Sequence, residues 1–128
     1  MQPSAQLGAS APIRILMTSG HRNQDAGLKR IGVLFGTYAR QNPGEAELRL
    51  ARADGSVLAR RFSLADLADN KYRYFDLDSK HYSAGEIVSI SGGGVSAWEN
   101  HDDKAASTCV NYEYADGKRR FTPGCPPF

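Results

Sequence analysis

The chain is poor in the residues that usually build a chemical site. Its 128 residues include two cysteines, one tryptophan, two methionines and three histidines. His21, His81 and His101 stand far apart, without the short His or Cys spacings of a zinc site. Each reads as a loop histidine. Gly92-Gly93-Gly94 lacks the lysine and following helix of a phosphate-binding loop and reads as a turn. No Gly-x-Ser-x-Gly elbow occurs. Ser19, His21 and Asp25 are close in sequence but show no orienting pattern. A small hydrolase therefore ranks last among the functional readings, and the chain is expected not to be an enzyme.

Charge of one sign is also lacking. The formal net charge is +2, and Arg60-Arg61 and Lys118-Arg119-Arg120 are the basic clusters. Neighbours on a strand point to opposite faces, so neither cluster forms a one-sided patch. Nucleic acid, which demands a concentrated basic face, is not an expected partner. No apolar run approaches the roughly 18 residues of a membrane span, so direct membrane insertion of this domain is not expected. Residues 1–12 lack the basic start and apolar middle of a signal peptide. They read as a flexible linker, or as the edge of a domain excised from a larger protein.

What the chain does have is a folding composition, 41% hydrophobic and 23% charged. That size and balance predict one folded domain over residues 13–128. Ile31 to Phe35 reads as a strand covered on both faces. Ala46, Leu48 and Leu50 share a face in the next run, with Glu47, Arg49 and Arg52 near solvent. Further strands are expected near 13–17, 57–62, 72–77, 86–91, 95–99, 108–114 and 118–122. Asp78 to Gly85 reads as a loop. Ser63 to Asp69 resembles one capped helical turn, with Ser63 as the cap and Asp66 favourable near its start. The expected fold is all-β, an antiparallel β-sandwich of jelly-roll type.

Cys109 and Cys125 flank a hairpin expected to turn at Asp116-Gly117. Pairing Ala115 with Lys118 would set Cys109 opposite Gly124, one step from Cys125, so a disulfide is expected. Such a bridge places the domain outside the cytoplasm. Asp69-Asn70, Asp76, Asp78 and Asp102-Asp103 offer oxygen ligands that a structural calcium could use, without the EF-hand spacing. No other cofactor is expected. Trp98 stands before Glu99, Asn100, His101 and Asp102. An aromatic face beside placed polar groups suits a sugar ring. Tyr38, Arg40 and Asn42 form a second such group, and Tyr72, Tyr74 and Tyr82 a third.

Three stretches carry a resemblance: Phe35-Gly36-Thr37-Tyr38-Ala39-Arg40-Gln41-Asn42-Pro43-Gly44, Leu48-Arg49-Leu50, and Leu67-Ala68-Asp69-Asn70-Lys71-Tyr72-Arg73-Tyr74-Phe75. Together they resemble extracytoplasmic jelly-roll domains of bacterial membrane proteins that build or modify surface polysaccharides. Those domains are similar to galactose-binding-like carbohydrate modules. The shared pattern is a Gly-Thr-Tyr-x-Arg-x-Asn-x-Gly loop, a strand, an Asp-Asn pair before an aromatic strand, and a Ser-x-Gly-x-x-Tyr-like segment. Here that last segment reads Ser83-Ala84-Gly85-Glu86-Ile87-Val88, with Val88 in the aromatic's place. The resemblance covers about residues 31–91. It implies a periplasmic or cell-surface location as part of a membrane-anchored protein.

The resulting expectation is a non-catalytic glycan-binding or accessory domain of a membrane-bound polysaccharide enzyme. Its contacts would be Tyr38, Arg40, Asn42, Trp98 and His101, and its partners a glycan and the parent membrane protein. The alternative is a protein-interaction domain docking on a membrane partner, which an exposed apolar face without an aromatic groove would favour.

Overall fold

Alternation at period two decides where this chain goes. Ile31, Val33 and Phe35 turn to one face of their strand and Gly32, Leu34 and Gly36 to the other, and all six are buried. This strand is therefore the centre of the molecule. The computed structural model describes residues 1–17, 26–101 and 106–127. Its strands are β1 (Gln2–Pro3), β2 (Ile13–Ile15), β3 (Leu28–Gly36), β4 (Gly44–Arg52), β5 (Val57–Ser63), β6 (Lys71–Lys80), β7 (Tyr82–Gly92), β8 (Ser96–His101), β9 (Ala106–Thr108), β10 (Val110–Tyr114) and β11 (Arg119–Phe121).

The strands form two antiparallel sheets packed as a sandwich. One sheet runs β2-β7-β4-β5. The other contains β1-β8-β3, with β6 on the far edge of β3. Those two four-strand orders are the double Greek key of a jelly roll. A C-terminal extension is added to it. β10 pairs with β3 at Val33 to Leu28, below the point where β8 pairs at Phe35 and Gly36, and β11 pairs with β10.

Between the sheets lie Ile31, Val33 and Phe35 from one side and Ala46, Leu48, Leu50 and Ile87 from the other, all fully buried. Phe62 links the layers, its ring centroid 6.0 Å from Phe35 and 5.0 Å, edge-on, from Phe75. Aromatic pairs at these separations add to plain area burial.

Several expectations change. Residues 1–12 do not stand off as a linker. Gln2 and Pro3 pair with Glu99 and Trp98, Leu7 is 2% exposed, and its N–H donates to Val95 O at 2.7 Å. Asp78 to Gly85 is not a loop but the junction of β6 and β7, broken only at His81. Its polar residues hide the strand because both strand ends face solvent, while Tyr82 and Ile87 face the core. The helical turn is a single 3₁₀ turn at Leu64–Asp66, and Ser63 makes no side-chain capping bond.

The disulfide Cys109–Cys125 is present, with Cα atoms 5.6 Å apart. The hairpin register beside it is shifted one step from expectation. Glu113 pairs with Arg119, and Tyr114 N–H bonds Lys118 O at 2.9 Å, leaving a three-residue loop of Ala115, Asp116 and Gly117. The bridge still closes because the chain leaves β11 after Phe121 and turns at Thr122, where Cys125 N–H bonds Thr122 O.

Candidate functional site

Alternate jelly-roll connections emerge at the same end of the sandwich. Four of them meet here: the loops after β1, β3, β5 and β7. Gly94 N–H bonds Leu7 O at 3.1 Å, Thr37 N–H bonds Asp69 Oδ1 at 2.6 Å, and Asn70 N–H bonds Phe35 O at 2.9 Å. These bonds fasten the connections to one another.

The loop after β3 is built around an unusual turn. Arg40 N–H bonds Thr37 O at 3.4 Å, and the two central residues, Tyr38 and Ala39, have φ of 59° and 55°. Positive φ at both central positions belongs to the mirror-image turn that normally selects Asn-Gly. Tyr38 and Ala39 fit it poorly. Asn70, φ 58°, is a third non-glycine residue in this conformation at the same end. Such residues collect where function holds the backbone in place.

The strained turn presents Tyr38, which is 44% exposed. Its hydroxyl lies 2.7 Å from Ser96 Oγ. Ser96 directs its own proton to Ser4 O at 2.9 Å, so Tyr38 is the donor. The Arg40 guanidinium stands 5.1 Å from the Tyr38 ring centroid, within cation–π range. Arg40 Nε donates to Asn42 Oδ1 at 2.8 Å and Nη2 to Gly94 O at 3.2 Å. Asn42 donates to Thr37 O and Arg40 O and is 2% exposed. Its amide is wholly engaged, so Asn42 builds the loop and does not face a ligand.

Trp98 joins this group from β8. Ser96 and Trp98 lie on the same, outward face of their strand, so Trp98 neighbours the Tyr38–Ser96 contact. Its Nε1–H donates to Asn70 Oδ1 at 2.8 Å. The indole lies against Gly36, where a β-carbon would stand 3.2 Å from Nε1. Gly36 is thus the floor that lets the ring sit close to the sheet.

His101 does not join the group. It lies an odd number of residues from Trp98 and shares the opposite face with Glu99, whose Oε1 is 2.9 Å from its Nε2. Asn100, two residues from Trp98, occupies the position expected of His101. Period-two reading of residues 96–101 was enough to make that choice. Ser96 was missed, and Asn70 was read as an oxygen ligand for calcium, because their roles here depend on loops distant in sequence.

The third aromatic group divides. Tyr72 and Tyr74 lie on the outer face of β6, with centroids 6.3 Å apart. Tyr74 rests on Gly32 beneath the Arg30 guanidinium, 4.2 Å from its ring centroid, and accepts from Asn111 Nδ2 at 2.8 Å. Burial, then the neighbouring Tyr74, pushes the Tyr72 hydroxyl up to about 12. Tyr82 instead faces inward and donates to Asp78.

The described members of the calcium set do not converge. Asp69 and Asn70 sit at the loop end, while Asp78 is held by Arg52 at 2.8 Å and by Tyr82. Among the described residues no group of three His, Cys, Asp or Glu could hold a metal ion. Asp102-Asp103, and the Ser19, His21 and Asp25 of the hydrolase reading, lie outside the described residues.

A concavity lies elsewhere, at the seam between the β2 edge and β8–β9. It is a groove of about 940 Å³ lined by Arg14, Leu16, Arg49, Val57, Glu86 and Glu99, among others, with no aromatic ring among the described lining residues. It lacks the aromatic face of a sugar platform.

Fold and site together define a class: a jelly-roll domain with an aromatic and polar cluster on its joined loops. No family model, curated protein or solved structure matches the chain.

Proposed function

We propose that the domain is a non-catalytic glycan-binding module that works outside the cytoplasm, as an accessory to a membrane-bound polysaccharide enzyme. The observation that carries this reading is the strained turn that presents Tyr38 and bonds it to Ser96, two residues from Trp98 on the same strand face. A domain under selection for stability alone gains nothing from a tyrosine and an alanine at two left-handed positions. A ligand that stacks on Tyr38 would make that conformation useful. Arg40 Nη1 makes no hydrogen bond with a described residue and offers donors to ring hydroxyls or carboxylates beside the two aromatic faces. The disulfide supports an oxidising compartment. The link to a membrane-bound enzyme rests on the resemblance over residues 31–91.

Isotope-labelled protein titrated with a panel of bacterial surface glycans tests the reading. Shifts at the Trp98 indole N–H and the Tyr38 and Arg40 amides, abolished in Trp98→Ala, are the expected result. A panel that moves none of them at millimolar ligand removes the proposal.

A second reading, docking on another protein chain, is favoured by one observation. Leu16 and Val57 line the groove and are 47% and 58% exposed. Loss of partner binding in Leu16→Glu, with glycan shifts absent, would put it first.

A further inference from the structure

The C-terminal tail crosses the outer face of the sheet beside Trp98. Cys109 is directly joined to that residue, its N–H donating to Trp98 O at 2.8 Å. Its side chain shares the outward face, and the disulfide brings Cys125 over it. The tail is then held by Tyr72, whose hydroxyl donates to Pro126 O at 2.7 Å. Upstream, Thr122 is fixed by bonds to Thr108 O and from Val110 N–H.

Between these anchors Gly124 turns with φ 81° directly onto Asn100. A β-carbon at Gly124 would stand 2.6 Å from the Asn100 amide carbon and nitrogen and 2.7 Å from its oxygen. That φ favours glycine, and a β-carbon there would push the Asn100 carboxamide aside. Asn100 itself is half-buried, and its carboxamide makes no hydrogen bond with any described residue. Its donor and acceptor keep contact with solvent, so both are open to a ligand's hydroxyls. It stands two residues from Trp98 on the same strand face.

We propose that Asn100 reads paired hydroxyls of a glycan ring lying beside the Trp98 platform, and that the disulfide-tethered Gly124 turn forms the wall that positions its amide. The amide donates one hydrogen bond and accepts another, which matches vicinal sugar hydroxyls. This rests on the glycan-binding reading and extends it to a second subsite. It also links the subsite to the disulfide. A dithiol that reduces Cys109–Cys125 to two thiols, itself oxidised to a disulfide, removes the covalent anchor of the wall.

The test uses the best-binding glycan of the panel and three forms of the protein: Asn100→Ala, Gly124→Ala and the dithiol-reduced chain. Amide-shift dispersion is checked for each. Asn100→Ala should weaken binding about fivefold, the cost of one or two net hydrogen bonds. Gly124→Ala, which pushes the amide without touching the disulfide, should weaken it comparably. The reduced chain, if still dispersed, should follow Asn100→Ala, and reduction should add nothing to that variant. Glycan binding that disappears in Trp98→Ala but is unchanged in Asn100→Ala and Gly124→Ala would overturn the subsite alone. Absence of any glycan binding would overturn it together with the reading beneath it.

Discussion

Tyr38 and Ala39 hold the same left-handed backbone, but only Tyr38 presents chemistry to solvent. Ala39 is therefore a cost without a visible return. Replacing it with glycine relieves the Cβ clash, worth about 1–2 kcal/mol, against a smaller entropic loss. Ala39→Gly should raise the urea unfolding free energy by about 1 kcal/mol. A destabilised variant would show that the turn is not strained.

Asp78 makes the other residue-level prediction. The Tyr82 hydroxyl donates to it, Arg52 pairs with it from Nε and Nη2 at 2.8 Å, and together they hold its carboxyl below the usual carboxylate range. The folded state thus binds the proton less readily than the unfolded chain. The contribution is complete above the ordinary carboxylate pKa near ~4 and disappears as pH falls through the depressed folded value. Burial first, then the bond to Asp78, pushes Tyr82 up to about 12. Its share is complete below the ordinary tyrosine value near ~10 and disappears as pH rises through about 12. Thermal midpoints from pH 2 to 6 should fall less steeply for Asp78→Asn than for the parent. Parallel curves would contradict this.

At the scale of elements, the pairing of β4 with β7 leaves no room at Gly85. A β-carbon there would stand 2.6 Å from Leu50 Cδ2, 3.1 Å from Ile15 Cβ and 3.3 Å from Met17 Cγ. Gly85→Ala should lower stability by about 1–3 kcal/mol through overpacking, read from denaturant midpoints. An unchanged midpoint would mean that Leu50 and Met17 repack freely. The same strand shows what sequence can carry. β3 and β4 were legible because Ile31 to Phe35 and Ala46 to Leu50 bury their side chains in period. The start of β7 was not, since Ser83, Ala84 and Glu86 face outward and Gly85 has no side chain to show. β1 was missed because it is two residues long and its place is decided by β8, about a hundred residues on. The disulfide was legible from chain distance even though the hairpin register was not. That register depends on whether two or three residues turn.

For the whole molecule, the double Greek key explains why residues from four separate connections meet. Of the five expected contacts, Tyr38, Arg40 and Trp98 share that end with exposed chemistry, Asn42 serves the loop, and His101 faces away. That Asn70 and Ser96 complete the cluster was not legible, because only the topology brings them there. Sequence spacing identifies loop residues, but it does not decide which loops touch.

The most direct measurement is a titration of isotope-labelled protein with bacterial surface glycans, followed at every assigned amide and at the Trp98 indole. The account predicts saturable shifts centred on Tyr38, Arg40, Asn70 and Trp98 and spreading to Asn100, with the groove at Arg14, Leu16 and Val57 unmoved. Shifts confined to that groove, or no shifts across the panel, would contradict it.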